Sequence, residues 1–215
     1  MKVLATLLCA LCSAPLQGQD LQLYVIPATP AHIEAWQTVE AAARLAGIGV
    51  AARELPPDRG MILANKGEVD GAIGRSALAA SEYPDLVQVP EAIYMYEPTA
   101  FSYRKLDVSH GWKSLRGHTL CMRRGYTLTE RRTSGLQRQR LDSDASLLRM
   151  LREGGCEIAI MDRRNTVIRD AVAADRDLLE LLPPLEQVPL YLFLHKRHAA
   201  LAPRLAEALR QVKHP

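Results

Sequence analysis

The residues best suited to hold a small charged molecule stand where predicted strands end. Arg75 follows the short apolar strand Ala72-Ile73, and loops at the carboxyl ends of α/β strands are the ones that reach a ligand cleft. A guanidinium there can grip a planar carboxylate through two parallel hydrogen bonds. Gly125-Tyr126-Thr127 lies at a strand-to-helix turn, where exposed N–H groups and a hydroxyl can hold an anionic group. Helix capping by Thr127 or Thr129 explains the same residues equally well. Tyr94, Tyr96 and Glu97 lie in an extended run, Tyr94 to Tyr103, and are placed to wall a cleft. His195-Lys196-Arg197-His198 has a metal-compatible interval, but with no third ligand nearby it reads as a polar turn and no metal is expected. The chain has no nucleophile elbow, no Gly-rich phosphate loop and no dense acid or histidine cluster. The expectation is binding without catalysis, and without a cofactor.

Elements must position these side chains, and the composition allows them. The chain has 215 residues, 48% of them hydrophobic, enough for one core or two small lobes. Met1-Lys2, the apolar run Val3 to Leu11 and the polar exit to Gln19 have the layout of a secretory signal cleaved near residues 18 to 20. The run is too short for a membrane helix, and neither Cys9 nor Cys12 follows the small-residue pair of a lipoprotein anchor. Export to the periplasm as a soluble protein is expected. The formal charge of +3 falls by one when Lys2 is removed. The one basic cluster, from Arg123 to Arg140, holds only Tyr126 as a stacking partner, so no nucleic-acid partner is expected. Cys121 and Cys156 each abut a predicted strand. They are read equally as a permitted disulfide and as two small buried hydrophobes.

One pattern occurs twice. Met61 to Gly74 and Leu148 to Asp162 each run apolar helix, glycine, acidic residue, short apolar strand. Aligning Gly67 with Gly154 sets Asp70 on Glu157, Ala72 on Ala159 and Ile73 on Ile160. A duplicated unit of this kind predicts two similar α/β lobes with a cleft between them. The strand Leu21–Ile26, a helix from His32 to Ala46 with Trp36 on its core face, the strand Ile48–Arg53 and a helix starting at Pro56-Pro57-Asp58 complete a β-α-β-α-β order. That order predicts a mostly parallel sheet flanked by helices. In the second half the predicted elements are the strands His118–Met122, Glu157–Met161 and Pro189–Leu194 and the helices Asp144–Arg152 and Ala199–Val212.

With these residues in this order, the chain resembles the type II periplasmic solute-binding proteins, specifically the family 3 group that includes polar amino acid receptors of ABC importers. The resemblance covers roughly residues 21 to 213 and rests on five pieces: Arg59 to Gly71, Trp112 to Gly117 before a strand, Gly125 after it, the unit ending in Asp162, and Leu190 to Lys196 before the last helix. It implies an α/β, two-lobed type II periplasmic-binding-protein fold, each lobe a mostly parallel sheet flanked by helices, with hinge crossovers. Lobe 1 would take residues 20–102 and 186–215, and lobe 2 residues 103–185.

In the amino acid receptors of this family an arginine from one lobe meets the ligand's carboxylate, and an aspartate from the other meets its ammonium. The resemblance carries the second role to Asp162, five residues after Glu157; pairing of Asp162 with Arg163 or Arg164 is the other reading. The receptors' arginine follows a Ser/Thr-rich loop that is absent here. Either Arg75 replaces it from a shorter loop or the carboxylate site is lost. The resulting expectation is a monomeric receptor, with Arg75, Tyr96, Glu97, Gly125, Tyr126, Thr127 and Asp162 around an amino acid or related zwitterion. Its partner would be a transporter permease or, in the alternative adaptor role, a membrane sensor.

Overall fold

The structure is a computed structural model that describes residues 20–26 and 30–213. The expected signal segment lies outside the described residues.

Two five-stranded sheets are built on one plan. The first has the order β2-β1-β3-β10-β4 and the second β7-β6-β8-β5-β9. The first sheet takes β1 (Leu21–Val25), β2 (Val50–Glu54), β3 (Gly71–Ser76), β4 (Leu86–Tyr96) and β10 (Val188–His195). The second takes β5 (Pro98–Ser102), β6 (Leu120–Arg123), β7 (Arg138–Leu141), β8 (Ile158–Asp162) and β9 (Leu179–Leu181). Within each sheet three strands pair in parallel, and the fourth in the order, β10 or β5, is antiparallel to its neighbours. Each reversed strand is where the chain arrives from the other lobe. Because β5 pairs with β8 and β9, the first change of sheet falls at Glu97, five residues before the expected division at 102/103.

Helices α1 (Pro30–Leu45) and α7 (Ala202–Lys213) cover one face of the first sheet, and α2 (Pro57–Asn65) and α3 (Ala79–Glu82) the other. Val39, Ala42, Ala43, Leu205 and Leu209 are buried with Leu23, Val25 and Ile73 in one cluster, and Trp36 packs against it. On the second sheet α5 (Asp144–Arg152) and α6 (Thr166–Ala174) bury Leu147, Leu151 and Ile168 on Phe101 and Ala159, while α4 (Thr127–Arg132) faces the first lobe. Ser143 caps α5 by accepting the Ser146 N–H, and Ser146 answers on the Ser143 N–H. The reciprocal pair satisfies two end groups that the helix itself leaves open.

The sequence repeat maps onto α2-β3 and α5-β8. Gly67 and Gly154 have φ of 74° and 72° and follow their helices in the left-handed region that a side chain would strain. The aligned acids also do equivalent jobs. Asp70 Oδ2 accepts the Gln22 N–H at 2.8 Å, and Glu157 Oε2 accepts the Thr119 N–H at 3.2 Å. Each pins the start of the central strand beside it.

Cys121 in β6 and Cys156 before β8 are joined in a disulfide, with Cα atoms 5.8 Å apart and a sequence separation of 35. Chain-entropy estimates put a loop of this length at about 4 kcal/mol. Replacing both cysteines by alanine should therefore lower the unfolding free energy by about 3 to 4 kcal/mol in urea titration. A loss under about 1 kcal/mol would show that other contacts already restrict the loop.

Candidate functional site

Arg75 sits inside β3, not in a loop beyond it, and a bulge decides where its side chain goes. On β10 the pairs run Tyr191 with Arg75 and Phe193 with Ala72, so three steps of β3 oppose two of β10. The extra residue sits beside Gly74, whose φ is 67°. Plain alternation would put Arg75 on the side of Ile73, among the core residues under α1. The bulge turns it over instead, and its guanidinium lies 4.8 Å from the centre of the Tyr24 ring. Gly74 is also boxed in. A Cβ there would come within 3.0 Å of His32 Nε2.

Arg75 is 8% exposed, and its Nε and Nη2 are buried with no hydrogen-bond partner among the described residues. Such a group is costly to bury unless a ligand completes it. It lines a cavity of about 80 Å³ between the lobes. Since one water needs about 10–15 Å³ on the same scale, there is room for roughly five to eight water-sized groups. The first lobe contributes Ile26, Met61, Leu78 and Leu190 to the walls, and the second contributes Tyr126 and Leu128. Exposed Leu78, Thr127 and Arg131 mark the mouth.

His32, in the first turn of α1, lines the cavity beside Arg75 and is 7% exposed. Burial lowers its pKa to about 3, helped by the charges of Arg75 and then Arg123. It is a neutral wall at ordinary pH. Tyr96, the last residue of β4, shares its hydroxyl with Thr129 Oγ1 at 2.8 Å and tilts its ring over Tyr126 at 5.7 Å between centroids. Burial, followed by the neighbouring Tyr126, pushes its hydroxyl pKa well up, so it stays protonated.

Five of the seven expected residues, Arg75, Tyr96, Gly125, Tyr126 and Thr127, therefore line one cavity. The anion-nest role foreseen for Gly125 is taken internally, because its N–H donates to Glu130 Oε1 at 3.1 Å. No side chain caps α4 at its N-cap residue Tyr126. Thr129 bonds across the cleft to Tyr96 instead.

Asp162 and Glu97 are held elsewhere. Asp162, 3% exposed, accepts the Tyr94 hydroxyl at 2.7 Å, the Arg164 N–H at 3.2 Å and the Glu97 N–H at 3.3 Å. Burial raises its pKa, against the pull of those three donors. The guanidiniums of its chain neighbours go to other acids, Arg163 to Glu180 and Arg164 to Glu34, each at 2.8 Å. Glu97 lies on the crossover and accepts Gln187 Nε2 at 2.6 Å, joining it to the second crossover.

His32, Glu82 and Arg131 are cavity residues that the sequence reading did not single out for this role. Arg131 had a visible signal, membership of the basic cluster, but its partner Glu82 comes from the other lobe. With Glu34–Arg164 and Tyr96–Thr129, this pair bridges the two lobes across the cleft.

No protein-family model and no curated protein sequence matches the chain. Solved structures do. Holo ArgBP from T. maritima superposes with a TM-score of 0.70 at 15% identity, covering 91% of each chain. AbpA from Streptococcus pneumoniae, an amino acid ABC transporter substrate-binding protein bound to L-arginine, gives 0.68 at 12% identity, over 90% of this chain and 89% of that one. The chain has the two-lobed periplasmic-binding-protein fold. A histidine kinase sensor domain with similarity to periplasmic binding proteins gives 0.72 at 18% identity, over 91% of this chain and 90% of that one. Likeness at these identities concerns the fold; the cavity is this chain's own. Among the described residues, no group of three or more His, Cys, Asp or Glu gathers as a metal site, and no helix is long and apolar enough to cross a membrane.

Proposed function

We propose that the chain is a periplasmic solute-binding protein that closes its lobes around a small carboxylate-bearing solute of amino acid size and presents the closed form to an ABC transporter. The observation that carries this reading is the buried Arg75 guanidinium facing an interlobe cavity, with two nitrogens that have no hydrogen-bond partner among the described residues. A ligand carboxylate gives Arg75 the bidentate partner that the protein does not supply. The fold supports the rest: lobes joined by two short crossovers can swing on a hinge, and the pairs Glu34–Arg164 and Glu82–Arg131 form only when they meet. Residues 1–19 would direct export and be removed. L-arginine, the ligand in the AbpA structure, is a poor fit for this cavity, because the side chain would bring a second guanidinium beside Arg75.

The sensor-domain likeness favours a second reading, in which the same fold holds no solute and serves a membrane signalling protein as an adaptor. Thermal unfolding of the mature chain against amino acids and small carboxylates separates the two. At a hundredfold excess over its dissociation constant, a true solute should add about 2.7 kcal/mol. A selective hit with a fall in radius of gyration in solution scattering supports the receptor. A flat panel from a well-folded protein would move the assignment to the adaptor role.

A further inference from the structure

We infer that the solute is a small monocarboxylate with an apolar body and no ammonium group. The inference rests on the receptor reading above and narrows it to a class of ligand.

Charge is the first argument. Among the described lining residues two guanidiniums, Arg75 and Arg131, face one carboxylate, Glu82, and His32 is neutral, which leaves one positive charge. Arg131 and Glu82 pair with each other at the mouth, so the uncompensated cation is the buried one, Arg75. A monoanion neutralises it. A zwitterion brings its own cation into the same enclosed space and leaves the total unchanged.

The second argument is where the acids are. An ammonium needs acceptors, and a buried one without a carboxylate is expensive. Asp162 would be the acceptor in an amino acid receptor of this fold, but its oxygens already take three donors, and it lines a narrow pocket on the far side of Tyr96 and Tyr126, which both spaces share, and does not line the main cavity itself. Asp144, beside it, takes Asn165 Nδ2 at 2.9 Å and lies 3.7 Å from Arg123. Glu97 is tied to Gln187. Each of these carboxylates is engaged by the protein itself, and Glu82, the one acid among the described lining residues of the main cavity, is ion-paired with Arg131. The walls are the third argument: Ile26, Met61, Leu128 and Leu190 surround the space in front of Arg75 and suit a branched or aromatic hydrocarbon.

The test uses matched ligands on the unaltered mature chain, so no variant has to fold. Calorimetric titrations would compare isocaproate, L-leucine and isoamylamine, which share one branched body and carry the carboxylate alone, both groups, or the ammonium alone. Phenylacetate and L-phenylglycine form a second pair with an aromatic body. In at least one set the carboxylate should bind about tenfold or more tighter than its amino acid, and isoamylamine should give no heat above dilution. Amino acids binding more tightly than their des-amino partners would overturn the carboxylate class and leave the receptor reading standing. No binding by any of these compounds or by the wider panel would overturn both.

Discussion

Arg75→Met should give a protein that keeps its stability when empty and is unable to hold its solute. The guanidinium is 8% exposed, and two of its nitrogens have no hydrogen-bond partner among the described residues. Its one visible compensation is the Tyr24 ring at 4.8 Å, and a desolvated cation–π contact is worth about 2 kcal/mol. Replacing buried charged groups by apolar ones of similar volume is often neutral or stabilising by about 1 to 4 kcal/mol. The expected net change in unfolding free energy therefore lies between a loss of about 1 and a gain of about 2 kcal/mol. Affinity should fall. Removing one partner of a buried charged pair costs about 2 to 5 kcal/mol, which is roughly thirtyfold to several thousandfold in dissociation constant. Urea titration without ligand and calorimetry with it read the two effects separately. A variant destabilised by about 2 kcal/mol or more would make Arg75 a structural residue.

His32 should make the protein acid-labile over a defined window. In the unfolded chain its imidazole takes a proton near its ordinary value of 6.5, whereas in the fold its pKa is lowered to about 3 by burial, then by Arg75 and Arg123. Between those values the unfolded state binds more protons, so stability is fully present above 6.5 and is lost as pH falls toward 3. The slope reaches about 1.4 kcal/mol per pH unit only well below 6.5, so moving from pH 6.5 to 4.5 should cost about 2 kcal/mol from this residue alone. Denaturant titrations at the two pH values should show that loss in the wild type, and His32→Gln should lack most of it. Equal losses in both proteins would place the acid sensitivity elsewhere. The two predictions are coupled, because removing the Arg75 charge removes one of the causes of the depressed pKa.

Much of this architecture could be read from the residues. The glycine, acid and strand of the repeat have matching physical roles in both lobes, and that is why the two copies align. The helix predicted at Asp144–Arg152 has those bounds in the fold, fixed by the Ser143 cap and by apolar positions at helical spacing. The polar stretch before Leu141 hid more. It contains β7, an edge strand with a weak pattern, and the body of α4 beyond the turn expected at Thr127, which buries Leu128 and Thr129 toward the other lobe.

At the site, residue type was a better guide than side-chain direction. Arg75 was found as a cation near a strand end, but the bulge beside Gly74 determines that it faces Tyr24 and the cavity. No hydrophobic periodicity encodes that turn. Asp162 ends β8, and the hydroxyl it accepts belongs to Tyr94, 68 residues away in sequence. A single-sequence reading has no access to such a partner. The same limit hid Glu82 from Arg131.

The most direct measurement is hydrogen exchange on the mature chain, with and without the tightest-binding carboxylate of the panel at saturation. Closure around a ligand on Arg75 predicts slower exchange in two separated segments, Gly74 to Ser76 of β3 and Gly125 to Leu128 at the start of α4. Protection confined to one of these segments, or placed outside both, would contradict capture between the lobes.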